Sequence, residues 1–231
     1  MIRNESVDFS IEDGIIAQAD GWLAVNKPSN FSVHSETGIG LVAQLQQQLN
    51  LDFLAPVHRL DKVTSGILLL AKNSETAAEL SQQFALRQVN KVYCAITTGK
   101  PKKKQGTIVG DMLPARRGSY RLAKTLENPA RTEFFSIGLY DGLRIALLKP
   151  TTGKTHQLRV AMKSNGSPIL GDPRYGVKRN ADRCYLHHYH IQLKTSTDWI
   201  DLKVLPKQGE HFLAPEFVDK FSAKLNSLAW T

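Results

Sequence analysis

HRLDKVTSGILLLAK, His58 to Lys72, is the stretch whose reading decides the fold. Its second half, Gly66 to Lys72, is too short and too aliphatic for an exposed helix and reads as a buried strand. Asp61 then stands at the lip of a core strand, between basic neighbours and just ahead of Thr64-Ser65-Gly66. Nearby positive charge favours the ionised form of a carboxylate, which suits a nucleophile or a base. On these residues alone, an Asp that caps a turn is the competing reading.

Working outward, Ile15 to Ala17 and Trp22 to Val25 are short apolar runs joined by Ala19-Asp20-Gly21, which predicts a hairpin. Between Gly40 and Asn50, Leu41, Leu45 and Leu49 recur every fourth residue, the spacing of an amphipathic helix. Past the central strand, Ser74 is expected to cap a helix in which Ala77, Leu80 and Phe84 share a face. Lys91 to Thr98 alternates as a strand, with Val92, Cys94 and Ile96 on one side and Tyr93, Ala95 and Thr97 on the other. Further strands are expected over Arg131 to Ile137, Leu143 to Lys149, Cys184 to Leu193 and Trp199 to Leu205. A helix over Thr155 to Ser164 would set His156, Arg159 and Lys163 on one face. Pro215 suits the first turn of a last helix carrying Phe217, Phe221, Leu225 and Leu228. Many strands joined by hairpin-like turns, with few helices among them, predict one α+β domain over residues 1–231 with a central, mainly antiparallel sheet.

With 231 residues, one hydrophobic core suffices. No window approaches the roughly 20 apolar residues of a membrane helix, and Met1 to Ser10 lacks the apolar core of a secretory signal. Cys94 and Cys184 lie far apart in strand-like runs, as buried thiols of a reducing compartment do, so the cytoplasm is expected. The formal charge of +9 favours a polyanionic partner. Gly99 to Gly106, GKPKKKQG, is either a solvated loop or a hairpin tip that contacts phosphates. Walker, dinucleotide-binding, Cys-x-x-Cys and helical zinc motifs are absent. His188 and His190 could share one strand face, but a third ligand is missing nearby and no metal is expected.

Taken whole, the HRLD-x-x-TSG pattern resembles the catalytic motif of pseudouridine synthases of the RluA type. NKP at Asn26 to Pro28, K-x-Y at Lys91 to Tyr93, GKTHQLRV at Gly153 to Val160 and GSPILGDPRYG at Gly166 to Gly176 extend the resemblance in order over most of the chain. It implies the pseudouridine synthase fold and isomerisation of uridines in structured ribosomal or transfer RNA, with no cofactor, no membrane, no DNA and a monomeric enzyme. Asp61 would be the catalytic carboxylate, and Arg159 would pair with it. Tyr93 would stack on the flipped uracil, its hydroxyl being a candidate base for the C5 proton, and Leu158 would pack against the base from another side. Arg59 would enter the RNA stack or hold the displaced base, while His58, Thr64 and Lys154 would belong to the substrate site. A base inside a stacked helix is out of reach, so such an enzyme must extrude it and offer aromatic and apolar walls in return.

The family often has Arg in the position of Lys154 and His in that of Ala161, and Leu186 to Leu193, LHHYHIQL, matches its C-terminal strand loosely. Lys keeps the charge but loses the bidentate fork. Many relatives carry a small RNA-binding domain ahead of the catalytic one, and the 21 or so residues before Trp22 are too few for it, so substrate choice is expected to rest on the catalytic domain. A non-catalytic RNA-binding protein using the same basic cleft is the alternative, and a hydrolase of free nucleosides is a second one.

Overall fold

The computed structural model describes residues 14–34, 39–177, 179–196, 198–228 and 230. Its strands and helices follow one another as β1 (Ile15–Gln18), β2 (Trp22–Lys27), α1 (Leu41–Gln48), β3 (Ala55–Pro56), β4 (Ser65–Ala71), α2 (Ser74–Ala85) and β5 (Asn90–Thr98). Then come β6 (Gln105–Gly110), β7 (Met112–Pro114), a single 3-10 turn (Arg116–Gly118), β8 (Tyr120–Leu122), β9 (Ala130–Gly138) and β10 (Leu143–Pro150). The chain continues through α3 (Gln157–Ser164), β11 (Leu186–Lys194), β12 (Trp199–Lys203), α4 (Glu210–Leu213) and α5 (Pro215–Asn226).

Among the described residues ten strands form one sheet along the path β1-β2-β4-β11-β5-β10-β9-β6, with β3 also on β4 and β12 also on β11. Every pairing is antiparallel except β4 with β11. The expected α+β fold, with its mainly antiparallel central sheet, is the observed one. β7 and β8 form a separate two-stranded arm.

All seven residues of β4 are buried, because the strand has a core on each face. Leu68 and Leu70 join Leu23, Val25, Leu41 and Leu45 on one side, where Phe217, Phe221 and Leu225 of α5 also pack. Ile67, Leu69 and Ala71 join Ala24, Leu80 of α2 and Ile191 on the other. At roughly 1.5–3 kcal/mol for each large aliphatic side chain removed from water, this strand outweighs any local helical preference of its leucines.

Several expected boundaries shift. Asn73, not Ser74, caps α2: its Oδ1 accepts the Thr76 N–H at 2.8 Å, so Ser74 is the first helical residue. The helix expected from Thr155 starts at Gln157, because His156 takes a left-handed conformation with φ 57°. His156 therefore leaves the helical face shared by Arg159 and Lys163. β11 begins two residues later than expected because Tyr185 bonds outside the strand ladder, its N–H to Leu170 and its carbonyl to the Ile96 N–H. Leu228 falls beyond the end of α5 but still packs on the core.

Gly66 fixes the centre of the sheet. It pairs with His188 across the parallel β4–β11 contact and has φ +110°. A Cβ there would sit 2.3 Å from the His188 carbonyl oxygen and 2.6 Å from its nitrogen, both backbone atoms. Gly142, in the turn between β9 and β10, also has positive φ (+72°) but open space around it. Gly66→Ala is expected to cost at least about 3 kcal/mol and Gly142→Ala about 1 kcal/mol in urea unfolding. Equal losses would remove the role given to this close approach.

Candidate active site

Three segments distant in sequence meet where β4, β5 and α3 come together. The first is the loop before β4, residues 57–64, which carries Asp61 and is closed by a hydrogen bond from the Thr64 N–H to the Asp61 carbonyl (2.9 Å). Lys27 holds this loop from below. Its fully buried ammonium donates to the carbonyls of Pro28 (2.8 Å), Phe31 (2.8 Å) and Lys62 (3.1 Å), and the Ser29 hydroxyl donates to Val63 (2.8 Å). Burial, then the Arg183 charge, pull the Lys27 pKa down to about 7 against the opposing influence of Asp61. The NKP motif thus fastens the loop that bears Asp61.

The second segment is the turn from β10 into α3. Gln157 is buried and bonds in four directions: its carbonyl oxygen accepts from the Thr152 hydroxyl (2.7 Å) and the Lys154 N–H (3.0 Å). Its amide donates to the Arg131 carbonyl (3.0 Å) and the Thr132 hydroxyl (2.9 Å). With that turn locked, Arg159 projects from the first turn of α3 toward Asp61. Arg159 Nη1 donates to Asp61 Oδ2 at 2.9 Å.

The third segment is the loop after α3. Asp172 takes Arg159 Nε at 2.8 Å and Nη2 at 2.9 Å, a fork that fixes the plane of the guanidinium. It also accepts the backbone N–H of Arg174 (2.8 Å) and Tyr175 (3.0 Å). Burial pushes the Asp172 carboxyl up, but the Arg159 bonds and those backbone N–H groups outweigh it and hold its pKa below the ordinary range. Burial likewise opposes the Arg159 charge, and the bonds to Asp172, then the Asp61 charge, more than offset it, so its pKa rises. The two carboxylates differ in access: the Asp172 side chain is 0% exposed and that of Asp61 22%. Among the described residues no protein donor is recorded on Asp61 Oδ1.

These segments border a cleft of about 480 Å3. All eight site residues expected from the sequence line it: Asp61, Tyr93, Arg159, Arg59, Leu158, His58, Thr64 and Lys154. Asp61 is the one carboxylate among the lining residues, against Arg59, Arg87, Lys91, Lys154 and Arg159. Within this set the roles diverge. Arg59 is exposed, whereas Thr64 is buried in its turn. His58 Nε2 accepts the Leu69 N–H at 3.0 Å, and its ring stacks on Phe84 with centroids 4.8 Å apart. Burial, then the Lys91 charge, pull the His58 pKa down to about 3, so it is a neutral brace for the motif that follows it. Lys154 Nζ donates to Asn128 Oδ1 at 2.8 Å.

Tyr93 forms a wall backed by a second ring: His188 stacks on it at 4.3 Å and 12°. The His188 Nδ1–H donates to the Ile67 carbonyl (2.7 Å), and burial keeps its pKa far below the ordinary value. A bulge shifts the register with β5, so that His188 stands opposite Tyr93 and His190 opposite the adjacent Val92, and the His190 ring bonds to Asp201 (2.8 Å). The shared strand face considered for a metal is therefore not formed by these two histidines.

Asp172, Lys27 and Gln157 lie inside quoted motifs but are not singled out by sequence reasoning, which places His156 only on a helical face with Arg159 and Lys163. None of Lys100, Lys102, Lys103 and Lys104 lines the cleft.

A β-sheet platform with one carboxylate held by a guanidinium, an aromatic wall and a cationic rim is the architecture of a site for a planar group on an anionic scaffold. Residues 21–164 match the family model described as RNA pseudouridylate synthase. The chain belongs to that family, in its RluA-type branch, and is an RNA pseudouridine synthase. It is 44% identical to an "uncharacterized RNA pseudouridine synthase" of Haemophilus influenzae, over 93% of this chain and 97% of that protein. It is 31% identical to ribosomal large subunit pseudouridine synthase C of Vibrio parahaemolyticus, over 83% of this chain and 65% of that one. The solved structure of human RNA pseudouridylate synthase domain containing 1 superposes with a TM-score of 0.76 at 25% identity, over 96% of this chain and 98% of that chain.

Two stability effects follow from the burial pattern. Asp172→Asn leaves a buried cation with only the partly exposed Asp61 as its counter-charge, and should cost about 3 kcal/mol in urea at pH 7. Because the folded-state pKa of Asp172 is depressed, this contribution is present above the unfolded carboxylate value and disappears as pH falls through the folded one. The gap between wild type and variant should therefore close in acid; a gap independent of pH would contradict the ion pair. His187, pulled down to about 3 by burial, and His188 act through the opposite species, being neutral when folded and protonated when unfolded below pH 6.5. Each should remove up to about 1.4 kcal/mol of stability per pH unit as pH drops below 6.5, read as a falling urea midpoint between pH 7.5 and 5.5.

Proposed function

We propose that this enzyme isomerises uridines in structured ribosomal or transfer RNA, with Asp61 as the catalytic carboxylate acting on a base turned out of its stack into the cleft. The observation that carries the reading is the divided Arg159: Asp172 fixes the guanidinium from inside, and the guanidinium in turn aims Asp61 at a space bordered by Tyr93 and Leu158. The cleft volume lies within the usual range of about 300–1,000 Å3 for small-ligand sites. The name of the Vibrio parahaemolyticus relative supports ribosomal RNA as one substrate class.

The reaction conserves every atom. The N1–C1′ bond breaks, uracil turns while held, C5 bonds to C1′, the C5 proton leaves and N1 takes one up. Two routes use the same carboxylate: attack on a carbon of the nucleotide, or removal of a ribose proton to give a glycal. Either needs a charged carboxylate in a partly dry site; the Arg159 guanidinium holds Oδ2, and among the described residues no protein group donates to Oδ1.

Tyr93 and Leu158 cover the base, and Arg59, exposed at the rim, enters the RNA stack or holds the displaced base. Burial, then the Asp61 charge, push the Tyr93 phenol above its ordinary range, so it is a neutral ring at pH 7. A phenol in that state takes the C5 proton only while giving its own to water in the cleft, so in this reading the hydroxyl relays that proton to solvent. His58 and Thr64 hold the Asp61 loop, and Lys154 stands at the rim for a phosphate. Within this reading the enzyme works in the cytoplasm, where the buried thiols Cys94 and Cys184 stay reduced.

Asp61→Asn is expected to lower tritium release from 5-tritiated uridine in ribosomal and transfer RNA transcripts by at least about a thousandfold. Binding of the same transcripts should change little. Turnover by Asp61→Asn at the wild-type rate would overturn the assignment.

A further inference from the structure

Outside the cleft a chain of contacts ties several exposed cations into one strip. The arm made by β7 and β8 ends in the 3-10 turn, which carries exposed Arg116 and Arg117. The Arg117 carbonyl accepts from Arg174 Nη1, fastening a third exposed cation against the arm tip. Tyr175, next in the chain, lies under Lys163 of α3, whose Nζ is 5.6 Å from the ring centroid. At the end of α3 the Ser164 carbonyl accepts from Lys102 Nζ at 2.8 Å. Asn165 then braces the lysine loop three ways. Its carbonyl accepts the Lys102 N–H (2.7 Å), its Oδ1 accepts the Lys103 N–H (3.1 Å) and its amide donates to the Lys103 carbonyl (3.0 Å). The arm tip, through Arg174 and Tyr175, and the lysine loop, through Ser164 and Asn165, thus lie beside one helix, eight residues and about 12 Å long.

Three features distinguish this strip from an ordinary solvated surface. Ordering a loop costs roughly 1–2 kcal/mol per residue in backbone entropy, yet four hydrogen bonds already fix Lys102 and the Lys103 backbone against Ser164 and Asn165 at the end of α3. Cations fixed in advance bind a polyanion with less ordering cost. The carboxylate within this chain of contacts, Asp172, is buried with both oxygens bonded, so it does not neutralise the strip from outside. Finally, the aromatic rings along it are not platforms for bases: Tyr175 is buried, and Tyr120 is half-buried with its ring edge-on to His156. Single-stranded RNA is gripped by stacking on exposed rings, whereas helical RNA offers phosphates and 2′-hydroxyls with its bases turned inward.

We infer that the strip running from Arg116 and Arg117 through Arg174 and Lys163 to Lys100 and Lys103 holds the phosphate backbone of a double-helical RNA segment next to the target nucleotide. The inference rests on the RNA-modifying reading and adds where the rest of the substrate lies. It places the helix along the outer face of α3 while the cleft takes the base.

The test uses a fluorescent RNA duplex of about 16 base pairs and a single-stranded oligouridine as probes, titrated with the whole enzyme over a range of salt. Arg116→Gln/Arg117→Gln and Lys100→Gln/Lys103→Gln should each weaken duplex binding about tenfold and lower the salt slope by about 2, as expected when two phosphate contacts are lost. Oligouridine binding should stay within about twofold, and Asp61→Asn should bind the duplex as the wild type does. Duplex affinity and slope unchanged in both double variants, or equal losses for duplex and single strand, would overturn the inference. Tritium release by the wild type on ribosomal and transfer RNA transcripts is read separately. No activity there refutes the catalytic reading, whereas activity with unaltered duplex binding refutes the strip alone.

Discussion

The sharing of Arg159 between two carboxylates is the constraint on which the site depends. A guanidinium is a rigid planar fork, and here its two-pronged side goes to Asp172 and its remaining end to Asp61. A buried ion pair is stable only when its remaining polar atoms are satisfied, and Asp172 meets that condition with two further backbone N–H bonds. Asp61, partly open to the cleft, meets it only in part. The same cation therefore gives one carboxylate a structural role and leaves the other available for chemistry.

Most of the surrounding architecture can be understood as bringing those three residues together. Lys27 pins the Asp61 loop to the end of β2, and Gln157 locks the turn that launches Arg159. Gly66 lets β11 close on β4, which carries His188 behind Tyr93 and leaves that ring supported on one face. Phe84, His58 and His188 continue the support inward as a series of neutral rings. The result is a firm apolar back wall beside a basic rim, a combination in which charge interactions are stronger than in water.

Much of this was legible in the sequence because it depends on local pattern. The aliphatic run after Gly66 reads as a buried strand, and the leucines of α1 and phenylalanines of α5 fall on single helical faces. Asp61 and Arg159 were legible through ordered motifs. Asp172 was not, since its partner lies 13 residues away and no periodicity marks a carboxylate that is buried by a loop. His156 reads as helical because spacing cannot reveal a left-handed backbone, and the cap expected at Ser74 falls one residue earlier because the Asn73 side chain is the one that reaches the Thr76 N–H. The strands β6, β7 and β8 are too short for an alternation to show, and the Lys27 clamp consists of carbonyls that no side-chain pattern encodes.

The most direct test of the central claim is pseudouridine mapping of total RNA from cells lacking this gene, using a chemical adduct that stops reverse transcription. The account predicts one or more sites lost on deletion, restored by the wild-type chain and not by Asp61→Asn. Restoration of the same sites by Asp61→Asn would contradict it, because the modification would then proceed without the carboxylate that Arg159 holds in place.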